Sequence, residues 1–311
     1  MQLNDYMQGP MRDPFSALED VPEDGVLAVI IGVDGPSYRP LGARMAFLPG
    51  NQRVGTLSSG CIESDLGLHA ETALCDGEPR RVRYGKGSPF IDIQLPCGGG
   101  LEILLLPRPD RKVLAALGEK RMNRKACTLN ITCDTGMMSL EDEGHTGMDG
   151  LRFQVRIEPE VMFYVFGKGP EASTFAGMIQ SAGYPNLLLS PDKETLEFGL
   201  HAGCAVRHLK QAEFPSDLVP DPWSAVVLFF HDHEWEPPIL ASALGSEAFY
   251  IGAQGSRRAR DARLLEIEAL GADPQQFSRL KGPIGLVASA RDARTLAVSV
   301  LAEVLSEVQT R

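Results

Sequence analysis

A cysteine set in a run of small residues is the first candidate for chemistry. In GTLSSGCIESD, residues 55–65, Cys61 follows Ser58, Ser59 and Gly60 and precedes Glu63 and Asp65. A thiol held for packing usually sits among apolar neighbours, whereas a loop this small and flexible brings its backbone close to a ligand. Ile62, Leu66, Ala70, Ala73 and Leu74 then recur at helical spacing. Cys61 is therefore expected at a helix start, where the first amide groups favour thiolate against the opposing charge of Glu63 and Asp65. Such a thiol is accessible and reactive, and it is a soft metal ligand. A second thiol, Cys97 of PCGGG (96–100), stands beside Gly98 in similar surroundings. Either it lines the same pocket, or it only occupies a tight turn.

Three further motifs bear on ligand binding. Gly167-Lys168-Gly169-Pro170-Glu171-Ala172 follows an apolar run and opens a helical one, the context of a dinucleotide fingerprint. Against that reading, the next strand ends at Ser190, where a ribose-binding acid is expected, with Asp192 two residues on; Pro170 also lacks an amide donor. A glycine turn needed only for close strand-to-helix packing explains the motif equally well. In Gly252-Ala253-Gln254-Gly255-Ser256-Arg257-Arg258, Ser256 can cap a helix whose dipole opposes two arginines unless an anion lies between them. The alternative has both side chains turned to water or paired with Asp261. His231-Asp232-His233 follows VVLFF at a strand end, where it lines a pocket; without a third ligand a metal role is weak.

The elements that must position these residues fall into two styles. VLAVIIGV, ARMAFL, FIDIQL and LEILLL are strand-like runs separated by turns and by the helix after Cys61, an α+β pattern. RKVLAALGEKRM reads as a helix, and ACTLNIT and RFQVRI as strands around the polar EDEGHTGMDG, a region whose arrangement the sequence leaves open. From Val161 onward, strand, glycine turn, helix and strand alternate, which implies a Rossmann-like parallel sheet. The expected fold is thus α/β: an N-terminal α+β domain over 1–160 and a Rossmann-like domain over 161–311, divided near Glu158–Glu160. A net charge of −11 argues against a general binder of nucleic acid or acidic membrane. The absence of a long apolar run or signal-like N-terminus leads us to expect a cytoplasmic protein without disulfides, its six cysteines being scattered and free of CxxC pairs.

Taken together, GPSYRPLGARM (35–45), GTLSSGCIE (55–63), PCGGGLEILLLP (96–107), FGKG (166–169), HDHEWE (231–236), YIGAQGSRR (250–258) and KGPIGL (281–286) resemble, in order, the motifs of the xanthine dehydrogenase accessory protein family, XdhC and CoxI. The resemblance spans nearly the whole chain. It implies a factor that binds molybdenum cofactor, in its molybdopterin or dinucleotide form, and assists its sulfuration and insertion into a molybdenum hydroxylase. A cysteine desulfurase would be a second partner, and a homodimer is an assembly it allows. The chain departs from the family at Pro170, where the glycine loop usually has His, at Ser190-Pro191-Asp192, usually Asp-Pro-Arg, at Leu106, usually an acid, and at Ser59, usually Gly. These changes count against NAD(P) in the Rossmann half and leave the Cys61 loop nearly intact. On this reading Cys61, with Cys97, lies near the metal–sulfur end of the cofactor, with Cys61 as ligand or sulfur carrier, and Ser59, Gly60, Glu63 and Gly98 are further cofactor-binding residues. Arg39, Arg44, Gly252, Gly255, Ser256, Arg257 and Arg258 face the phosphate, and Gly167, Gly169 and His231 complete the pocket. An NAD(P)-dependent oxidoreductase and a noncatalytic scaffold that docks the hydroxylase remain as alternatives.

Overall fold

Six successive apolar residues, Val26 to Ile31, run through the first long strand because both of its faces are covered. The computed structural model describes residues 13–21, 24–89, 95, 98–231 and 234–309, and the chain divides at Glu160 into two units. In the first unit the elements are α1 (Pro14–Glu19), β1 (Val26–Asp34), β2 (Arg44–Leu48), β3 (Gln52–Gly55), α2 (Glu63–Asp76), β4 (Arg80–Gly85), β5 (Gly100–Pro107), α3 (Arg111–Met122), β6 (Cys127–Thr132), β7 (Met138–Glu141), β8 (Gly147–Asp149) and β9 (Arg152–Ile157). The first five strands form an antiparallel sheet in the order β3-β2-β1-β5-β4. Successive side chains of a strand point to opposite faces. Val26, Ala28 and Ile30 accordingly pack with Ile62, Leu66, Ala70 and Ala73 of the α2 segment, while Leu27, Val29 and Ile31 pack toward Leu129, Ile131 and Phe153 of a second sheet. Each such fully buried Leu or Ile stabilises the fold by about 2 kcal/mol.

That second sheet, in the order β7-β6-β9-β8, is the arrangement the sequence left open. EDEGHTGMDG passes from the end of β7 through β8 to the turn before β9, at the sheet's outer strands. Of the expected strand FIDIQL, residues 90–94 lie outside the described residues.

Strand register sets which loops meet. Asp34 at the end of β1 pairs with Gly100 at the start of β5, which also faces Gly85 at the end of β4. Arg44 opens β2, and Gly55 closes β3 opposite Met45. The loops 35–43 and 56–62, and the turn at 98–99, therefore all leave the same end of the first sheet.

The second unit alternates strand and helix: β10 (Met162–Gly167), α4 (Pro170–Ser181), β11 (Asn186–Ser190), α5 (Lys193–His201), β12 (Ala205–His208), β13 (Ser224–Phe229), α6 (Glu236–Leu244), β14 (Tyr250–Ala253), α7 (Arg257–Ala269), β15 (Leu280–Lys281) and α8 (Ala293–Gln309). The six strands are parallel, in the order β12-β11-β10-β13-β14-β15. The order reverses between β10 and β13, the Rossmann arrangement expected. Helices α4 and α8 cover one face with Phe175, Ile179, Leu296 and Val300, and α6 and α7 cover the other with Ile239, Leu240 and Ile267. Among the described residues, no helix is long and apolar enough to cross a membrane.

Candidate functional site

The Cys61 loop is built on a buried carboxylate. Glu63, the first residue of α2, is only 5% exposed. Its Oε1 accepts from Thr56 Oγ1 at 2.6 Å, the Leu57 amide at 3.0 Å and the Ser58 amide at 2.8 Å. Its Oε2 accepts from Ser58 Oγ at 2.6 Å, the Gly60 amide at 3.0 Å and the Ile62 amide at 3.2 Å. Ser59 and Gly60 reach this shape with φ of 62° and 106°, a left-handed backbone that glycine adopts without cost. Burial pushes the Glu63 carboxyl up, but the hydrogen bonds from Ser58 and Thr56 outweigh it and hold it at about 2. Six donors thus fix one anion, and the loop becomes rigid.

The Gly60 and Ile62 amides close on Glu63. Cys61 lies one residue before the helix cap and is exposed, as are Ser59 and Gly60. Its access to a partner therefore rests on the thiol at the loop's tip. The other described cysteines, Cys75, Cys127, Cys133 and Cys204, are also free, the last three buried.

The first turn of α2 is tied to the sheet beneath it. Tyr84 of β4, fully buried, donates from Oη to Asp65 Oδ2 at 2.6 Å, and His69 Nε2 lies 3.4 Å from the same carboxylate. Burial and then Asp65 push the Tyr84 hydroxyl far above its ordinary range, so it remains a donor. This hydrogen bond brings the start of α2 to the end of the sheet where β4 and β5 meet. There Gly99 is jammed so closely that a Cβ would lie 2.0 Å from the Pro36 carbonyl oxygen. Gly98 is exposed and donates its amide to Leu95 O, whereas Cys97 lies outside the described residues.

The two arginines of the same end differ in state. Arg44 lies 3.7 Å from Asp13 and 4.5 Å above the Phe15 ring. Arg39 is exposed and makes no ion pair among the described residues.

In the second unit, the GKGP segment, His231 and the Gln254–Arg258 segment follow β10, β13 and β14 at the carboxyl edge of the parallel sheet, where ligands of open α/β sheets bind. The GKGP loop after β10 does not fit a pyrophosphate in the usual pose. The Lys168 amide donates to Phe229 O at 3.1 Å and the Gly169 amide to Thr195 Oγ1 at 2.9 Å, while Pro170 has none. Gly167 ends β10 with Phe229 O and the Ala172 Cβ where its own Cβ would stand. Glu171 adds a negative charge at the helix start, 3.6 Å from His231. Ser190 is buried and accepts from the Asp192 amide, and Asp192 caps α5.

His231 is 68% exposed on its side chain, and Asp232 and His233 lie outside the described residues. Gly252 is buried within β14; Gly255 is exposed, and Ser256 caps α7 by accepting the Ala259 amide at 3.2 Å. Arg257 and Arg258 are exposed and unpaired among the described residues; it is Arg260 that lies 3.7 Å from Asp261. The loop is locked by residues the sequence did not single out. Arg263, its side chain 3% exposed, donates to Glu236, which is fully buried, and to the Gln254 carbonyl oxygen. Glu236 and Gln254 are thereby clamped together. The only sequence signal was an Arg in α7 and a Glu opening α6, 27 residues apart.

Comparison with known proteins gives a consistent family. Residues 20–85 match the model of the XdhC and CoxI family, and residues 163–304 match that of the XdhC Rossmann domain. The chain is 32% identical over 282 residues to the molybdenum cofactor insertion chaperone PaoD of Escherichia coli (strain K12), covering 90% of this chain and 82% of that one. It is 26% identical to a probable xanthine dehydrogenase subunit of Bacillus subtilis (strain 168), covering 97% and 98%. Its fold is that of a crystal structure described as a xanthine dehydrogenase from Bacillus halodurans, with a TM-score of 0.78, 23% identity and coverage of 96% and 95%.

Proposed function

Because this chain belongs to the XdhC and CoxI family, we propose that it is a molybdenum cofactor chaperone, which holds the cofactor as cargo and assists its sulfuration and insertion into a molybdenum hydroxylase. The observation that carries the reading is the exposed Cys61 thiol at the tip of a loop fixed by Glu63. A soft thiol suits a cargo whose metal is already bound by sulfur. Among the described residues, no three metal-ligating side chains gather. The sulfur for sulfuration would come from a cysteine desulfurase.

Arg257 and Arg258, exposed beside a capped helix start of the second unit, suit a phosphate group by themselves. Changing both to Ala is expected to weaken cofactor binding and to flatten its salt dependence while leaving thermal unfolding unchanged, because neither side chain is buried. An unaltered affinity and salt slope would remove these two residues from the site.

The function itself is tested by purification. Protein isolated from cells that make molybdenum cofactor should carry a pterin, detected as fluorescence after oxidation. Titration with NADH should give no saturable binding, given the committed amides of the GKGP loop. Micromolar NADH binding without any pterin would replace the chaperone with an oxidoreductase.

A further inference from the structure

One aromatic residue at the Cys61 end of the first sheet is left open to solvent. Tyr38 is 59% exposed. The loop is stiff: Pro36 and Pro40 restrict its backbone, Ser37 Oγ donates to the Arg39 carbonyl oxygen at 2.7 Å, and the Arg39 amide returns to Ser37 Oγ at 3.3 Å. Behind it, the Pro36 carbonyl is wedged against Gly99. Val33, Ser37, Tyr38, Arg39, Pro40 and Leu41 line a concavity of about 540 Å³. An aromatic face and a guanidinium without an ion pair among the described residues thus stand side by side on a rigid support. They stand at the sheet end that also carries the Cys61 loop.

We propose that Tyr38 and Arg39 form the receiving site for a flat nitrogen heterocycle that carries a phosphate, the phenol ring stacking on the heterocycle and the guanidinium pairing with the phosphate. The inference rests on the chaperone reading and adds the residues that hold the organic part of the cargo. A pterin and the base of a nucleotide tail share this chemistry.

Binding measured on the full chain separates them. Neopterin monophosphate and neopterin, followed by their fluorescence, represent the pterin; GMP and CMP, followed by calorimetry, represent the tail. Tyr38→Ala should weaken binding of the preferred probe about tenfold, the scale of one base–aromatic stack, and Tyr38→Phe should keep it. Arg39→Ala should weaken neopterin monophosphate more than neopterin. Saturable binding of GMP or CMP alone, with the same dependence on Tyr38, assigns the site to the tail. Probe binding unchanged in Tyr38→Ala, or absent in the wild type, overturns the proposal. The pterin that copurifies with the wild-type chain keeps the two readings apart. If it is present in wild type and equally present in Tyr38→Ala, this site is wrong and the chaperone stands; if wild type carries none, the chaperone reading itself falls.

Discussion

Cys61→Ser is expected to abolish delivery of active, sulfurated cofactor to a client hydroxylase while leaving thermal unfolding within about 0.5 kcal/mol of wild type. The thiol is exposed at a loop tip, so the exchange of sulfur for oxygen removes no buried contact. The loop keeps its shape because its hydrogen bonds run from Thr56, Leu57, Ser58, Gly60 and Ile62 to Glu63, and none involves the Cys61 side chain. Serine is of similar size, but its hard oxygen neither ligates soft molybdenum nor carries a transferable sulfur. Reconstitution of a molybdenum-free hydroxylase with the loaded chaperone, beside calorimetry of both proteins, measures the two effects together. A variant that is destabilised by about 1 kcal/mol or more yet fully competent would mean that the thiol serves packing and that the proposed role is wrong.

Glu63→Gln is expected to destabilise the N-terminal unit by about 3 kcal/mol at neutral pH, a large effect for an isosteric change. Either orientation of the new amide turns its NH₂ toward two backbone donors, Leu57 and Ser58 on one side or Gly60 and Ile62 on the other. Donor then faces donor inside the protein, and the charge that strengthened all six hydrogen bonds is gone. The wild-type carboxyl is held at about 2, below its ordinary 4.5, so its contribution is complete above pH 4.5 and is lost as the pH falls toward 2. The stability gap between the two proteins should therefore be widest at neutral pH and narrow across that acid window. Chemical denaturation at pH 7 and at pH 3 measures it. A gap that is absent at pH 7 would show that the carboxylate does not hold the loop. Cofactor delivery should also fail in the folded fraction of the variant, since the loop that presents Cys61 loses its anchor.

Much of the scaffold could be read from local pattern. The strand, glycine turn and helix rhythm after Val161 identified the Rossmann-like unit because β10, β11, β13 and β14 are buried on both faces and flanked by helices of ordinary length. The stripe from Ile62 to Ala73 identified α2 and put Cys61 just before it. The region of β6 to β9 resisted because its outer strands are short and half exposed, so neither a continuous apolar run nor a clean alternation marks them.

By itself, the sequence determined the fold class, the existence of the Cys61 loop and the family, since these rest on periodicity and on residues adjacent in the chain. Only the tertiary structure decided what the loop's donors do. Whether the amides of residues 57 to 62 face a ligand or an internal carboxylate depends on the left-handed turn at Ser59 and Gly60, which spacing does not specify. The same holds for the Gly169 amide, which Thr195 of the next helix takes, and for the Arg263–Glu236 clamp. It holds too for Tyr38, Arg39 and Cys61 emerging at one end of a sheet, which follows from antiparallel register between β1, β2, β3 and β5. Partners far apart in the chain are chosen by packing and register, and a linear sequence carries those choices only through the fold it produces.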